Sequence, residues 1–155
     1  MRAASLVILL SLAAYGADTM VSPQSVILPT EFGPALVKSC WGKSPIAGDI
    51  SGYWTPTIDD ARQMEQALPG YLKHSEVHPP FSDYYRQYVG IIAGGKRLVF
   101  VSAFTKQLPS DEPAWIPADW TDRPVTVCGG STDAWRVAFD PQTKQFSHWD
   151  VNGPL

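Results

Sequence analysis

The sequence predicts an α+β domain in which one N-terminal helix packs on a four- to five-stranded antiparallel sheet, preceded by an extended arm. Three observations carry that expectation. "TPTIDDARQMEQALPG" has a single apolar stripe at helical spacing. Two β-rich runs, "YYRQYVGII" and "KRLVFVSAF", meet across Gly94-Gly95. A second alternating pair, "AWRVAFD" and "QFSHWDV", closes on the turn residues "DPQTK".

The elements follow in chain order. Met1-Arg2 supplies a positive charge, and "AASLVILLSLAA" follows it as an apolar run ending near the small residues Ala14 and Gly16. This is the pattern of a secretory signal peptide over 1–16. The run is shorter than the roughly 20 residues a membrane span needs, so no stable membrane anchor is expected after cleavage. Residues 17–54 are rich in Pro, Gly and Ser and read as the extended arm; 55–155 read as the single α+β domain.

The helix has a start signal and a stop signal. Thr57 with Asp60 makes a capping-box pair, and Asp59 adds negative charge at the positive helix end. Ile58, Ala61, Met64 and Leu68 form the apolar stripe, and Pro69-Gly70 marks the expected end. A single stripe requires a flat surface, which the two hairpins provide. Folding the first hairpin about Gly94-Gly95 sets Ile91 opposite Leu98, Val89 opposite Phe100, Gln87 opposite Ser102 and Tyr85 opposite Phe104. "PVTVC" reads as a fifth strand ending at Cys128. Between the hairpins lies a loop over 105–123, interrupted by prolines and carrying Trp115 and Trp120, too long to be a mere connection.

Charge and cysteines narrow the function. The formal charge is −3 at pH 7, and the 12 basic residues are scattered, so nucleic acid is not an expected partner. Cys40 and Cys128 are the only two cysteines, and in an exported protein an even pair predicts a disulfide. Such a bridge would close a loop of about 90 residues and contribute on the order of 4 kcal/mol.

"YYRQYVGI", the glycine turn before "KR", "VSAF", "VCGG" and "AWRVAFDPQTKQFSHWDVNG" resemble a group of small exported bacterial hypothetical proteins. The resemblance spans roughly Trp54 to Gly153 and implies an exported, periplasmic or secreted single domain without implying an activity. The predicted layout is cystatin-like by analogy only. Cystatins present Gln-x-Val-x-Gly at a hairpin tip. Here Gln87-Tyr88-Val89-Gly90 is one residue short and lies in mid-strand, so protease inhibition is not carried over.

Several constellations have chemistry to weigh. Gln87 opposite Ser102 is either a buried pair that fixes register or the polar floor of a ligand cleft. Tyr88, Trp115 and Trp120 are candidate binding aromatics. His148 and Asp150, two apart on a strand, form the nearest thing to an acid–base pair, which makes a hydrolase the third reading. His74 and His78 have i,i+4 spacing but are followed by Pro79-Pro80, so no metal site is expected, and no cofactor. "CGGSTD" reads as a turn. The leading expectation is a non-enzymatic domain that binds another exported or periplasmic protein, as an inhibitor or protective factor. The alternative is a small-molecule or glycan binder using the sheet face.

Overall fold

Thr57 caps the main helix as the sequence requires: its hydroxyl accepts from Asp60 N at 3.1 Å, and Asp60 Oδ2 accepts from Thr57 N at 2.9 Å. The computed structural model describes residues 19–38, 46, 49–77, 79–105 and 116–153. The expected signal peptide therefore lies outside the described residues. The chain order is β1 (Met20–Ser22), β2 (Ser25–Ile27), α1 (Gly33–Val37), β3 (Ile50–Trp54), α2 (Ile58–Leu72), β4 (Tyr84–Ala93), β5 (Lys96–Thr105), β6 (Ala134–Asp140) and β7 (Gln145–Val151). No helix among the described residues is long and apolar enough to cross a membrane.

The sheet corrects the predicted fold class. It is mixed and has seven strands, ordered β1-β2-β4-β5-β6-β7, with β3 also paired to β4. The described parts of the arm are not merely extended: they contribute β1, β2, β3 and the second helix, α1. β2 runs parallel to β4, with Val26 beside Gln87, while β3 runs antiparallel to the far half of β4. The physical reason lies in β4 itself. Its ten residues would leave one edge of N–H and C=O groups unpaired, and the arm fills that edge; Leu28 N donates to Tyr88 O at 2.9 Å, and Arg86 N donates to Gln24 O at 2.8 Å.

The first hairpin has the predicted register. Gln87 pairs with Ser102 and Tyr85 with Phe104, and Gly94 and Gly95 turn the chain at φ 55° and 75°, the left-handed region a two-residue turn requires. In the second hairpin Asp140 Oδ1 accepts from Gln142 N and Thr143 N, so the carboxylate shapes the "DPQTK" turn.

Both faces of the sheet are covered. α2 lays Ala61, Met64, Leu68 and Leu72 on a face built from Tyr88, Val99, Val101, Trp135, Val137 and Phe139. The opposite face, with Val89, Ile91, Leu98 and Phe100, is covered by α1 and Ile46 from the arm. α2 also runs past its expected stop. Pro69 stands on the solvent side, and the helix continues to Leu72, whose side chain is buried with Leu68. That extra turn places Tyr71 beside β7.

"PVTVC" is not a strand. It crosses the sheet face instead of joining an edge, and Val125 and Val127 pack with Phe104 and Ala134. Its Val125 N–H and Val127 carbonyl are held by the side chains of Gln87 and Asn152, as the next subsection describes.

Candidate functional site

Four polar side chains cross the sheet in one row: Gln87 of β4 pairs with Ser102 of β5, Ser102 with Arg136 of β6, and Arg136 with Asp150 of β7. The Gln87 amide has partners in the strap that follows Ile116. Its Nε2 donates to Trp120 O at 2.5 Å and to Arg123 O at 2.6 Å, and its Oε1 accepts from Val125 N at 2.8 Å. Asn152 does the same further along, donating to Val127 O at 2.7 Å and Gly129 O at 3.0 Å. Gln87 is therefore a buried clamp on the strap, and its register partner Ser102 is 7% exposed beneath it.

Arg136 closes the row as a nearly buried cation. Its Nη1 lies 3.4 Å from Asp150 Oδ2, and its Nη2 donates to Asn152 Oδ1 at 3.3 Å. Burial lowers the Arg136 pKa and raises that of Asp150, in each case against the attraction of the other. Desolvation thus outweighs the ion pair at both ends.

The expected His148–Asp150 pair is separated. Between Arg136 and Ala138 the β6–β7 register slips by one residue, and His148 takes φ 57°. This β-bulge ends the simple alternation, so Phe146, Trp149 and Val151 all pack on the helix side. Asp150 turns to Arg136, while His148 Nδ1 shares a hydrogen bond with Ser147 Oγ at 2.8 Å. His148 lines a cleft of about 280 Å³ at the hairpin ends, with Asp49, Lys96, Asp140 and Ser147. Asp140 feels burial, which raises its pKa, but N–H donors from Gln142 and Thr143, the Thr143 side chain and the charge of Lys96 together hold it below the ordinary aspartate value.

The bulge has a second consequence. It brings Trp149 against the last turn of α2, where Trp149 and Tyr71 meet edge-on with centroids 5.7 Å apart. Tyr71 stacks on Phe146 at 4.4 Å, and Trp149 lies over the buried Trp135 at 5.5 Å. A cleft of about 450 Å³ opens there, lined by Tyr71, His74, Ser75, Glu76 and Trp149. Its aromatic side has a rigid backing, and Tyr71 and Trp149 remain partly exposed.

The other candidate residues have these positions. Tyr88 is buried under α2, where its hydroxyl donates to Glu65 Oε1 at 2.6 Å. Burial, with the Glu65 carboxylate beside it, pushes its pKa well up. Trp120 packs edge-on against Tyr85 at 4.9 Å and joins the apolar cover of the sheet. Trp115, Cys40 and His78 lie outside the described residues. Cys128 is exposed, and no cysteine among the described residues has a free thiol. Among the described residues no group of His, Cys, Asp and Glu is arranged to hold a metal ion. Gly129 and Gly130 adopt positive φ, and the Ser131 N–H that follows is engaged by Gly153 O, which makes "CGGSTD" a turn packed on the chain end of the sheet.

Sequence reasoning missed Tyr71, Glu76 and Asn152. Tyr71 was hidden because Pro69-Gly70 reads as a helix end. Asn152 has no local signal at all, since its partners Val127 and Gly129 are distant in sequence. Comparison of the chain with protein-family models, curated proteins and solved structures finds no match.

Proposed function

We propose that this chain is an exported, non-enzymatic domain that holds its ligand in the cleft walled by Tyr71 and Trp149. One observation carries the reading: the bulge at His148 moves Trp149 onto the helix side, next to Tyr71, and leaves both rings partly exposed against Phe146 and the buried Trp135. A left-handed residue other than glycine costs on the order of 1–3 kcal/mol, and such conformations cluster at functional sites. Bulges also re-aim side chains beside such sites. The Gln87–Ser102 floor is not the favoured location, because the strap occupies the Gln87 amide.

A protein partner is the second reading, favoured by the same two partly exposed rings, since large aromatics concentrate interface energy. Export to the periplasm or medium and a Cys40–Cys128 bridge belong to the same proposal; alkylation of the purified exported protein without reductant should label neither cysteine.

The functional test is a thermal-shift screen of the full exported chain against small molecules and peptides, repeated on Trp149→Phe and Trp149→Ala. Ligands that stabilise the parent and lose their effect in Trp149→Ala support the cleft. Ligand effects indifferent to Trp149 would place binding elsewhere. Turnover of an ester or amide substrate that disappears in His148→Ala would overturn the non-enzymatic reading.

A further inference from the structure

The geometry points to a neutral saccharide as the occupant of the Tyr71–Trp149 cleft; this rests on the reading of that cleft as the binding site. A pyranose ring presents an apolar C–H face and a rim of hydroxyls. It needs a flat aromatic wall and hydrogen-bonding groups at the wall's edge. Trp149 supplies such a wall. Trp135 stacks on it at a 28° interplanar angle and the Tyr71 ring meets it at 67°, so the indole is held without depending on the ligand. A pre-positioned ring loses little entropy on binding, and stacking on it suits a ligand that is polar at its periphery.

The polar groups of the cleft agree with an uncharged ligand. Ser75 is already committed, its hydroxyl donating to Leu72 O at 2.8 Å and accepting from Val77 N at 3.4 Å, and so fixes the segment. The exposed His74 and Glu76 offer an imidazole and a carboxylate, which suit hydroxyls through donor and acceptor alike. A volume of about 450 Å³ falls among small-ligand sites, which run from roughly 300 to 1,000 Å³. A stable protein interface needs about 800 Å² from each partner, far more than these five residues present.

The test uses the full exported chain and titrates intrinsic tryptophan fluorescence with cellohexaose, maltohexaose and chitohexaose, with calorimetry on any that respond. The expected result is saturable binding of at least one oligosaccharide. Tyr71→Ala or Trp149→Ala should weaken it tenfold or more, Trp149→Phe should retain much of it, and Glu76→Gln should weaken it less than Trp149→Ala. If no oligosaccharide binds but an aromatic-directed peptide does, and that peptide depends on Trp149, the saccharide is wrong and the cleft stands as a protein site. If neither class binds in a Trp149-dependent way, both the saccharide and the cleft are refuted. Trp149→Phe and Glu76→Gln keep the comparison valid should the alanine variants fail to fold.

Discussion

Replacing Gln87 by leucine keeps most of the side-chain volume and removes three hydrogen bonds that hold the strap to the sheet. A neutral hydrogen bond contributes about 1 kcal/mol net, so the bonds alone account for about 3 kcal/mol. The released groups are unequal. Arg123 is exposed and Trp120 partly so, and their carbonyls regain water; Val125 is 6% exposed, and its N–H is left facing leucine. A stranded buried donor adds about 1–3 kcal/mol, which sets the expected loss at about 4–6 kcal/mol. Urea denaturation measures the total. Hydrogen exchange at the Val125 amide separates local release of the strap from global unfolding, and protection there should fall at least a hundredfold, the equivalent of about 3 kcal/mol. Ser102→Ala leaves all three bonds in place, so its cost should be small beside that of Gln87→Leu, and the two changes should not offset one another. A loss under about 1 kcal/mol for Gln87→Leu would refute the clamp. So would a double variant more stable than Gln87→Leu alone, because that coupling would mean Gln87 spends its amide on Ser102.

Three further outcomes are expected. Glu65 accepts from both Arg86 Nε at 2.8 Å and Tyr88 Oη at 2.6 Å, so Glu65→Ala should cost about 3–5 kcal/mol in denaturation by leaving the 3%-exposed Arg86 without its counter-ion, and Glu65→Gln should cost less. Gly90→Ala would place a Cβ 2.5 Å from the Trp54 indole, whose Nε1 donates to Ile91 O; overpacking should destabilise by about 1–3 kcal/mol and alter Trp54 fluorescence, and an unperturbed spectrum would place the indole elsewhere. Asp140 has a folded pKa below its ordinary 3.8, so its contribution is present above that value and is lost as pH falls through the folded one. Asp140→Asn should remove this acid-dependent component, read as a smaller difference in stability between about pH 6 and about pH 2 than the parent shows.

What the sequence determined by itself is local. Thr57 and Asp60 are three apart, and their capping box requires no distant partner. Gly94-Gly95 sets the first hairpin because a two-residue turn of positive φ leaves one register for the strands it joins. Asp140 shapes its own turn for the same reason. Distant contacts decided the rest. The apolar residues on both faces of β4 and β5 signal a sheet buried on both sides, but not which segment of the arm would cover the second face or pair with the open edge of β4. Pro69 loses its power to end α2 because Leu72 gains burial on the sheet one turn later, and Tyr71 is carried along. The amide of Gln87 was readable as a polar group needing partners, whereas its choice of strap backbone over Ser102 depended on a segment more than thirty residues away. The bulge at His148 is the last such case. Strict alternation would set Phe146 and Trp149 on opposite faces, and one extra residue opposite β6 sets them together, because a sheet face follows from the count of paired residues across strands and not from either strand alone.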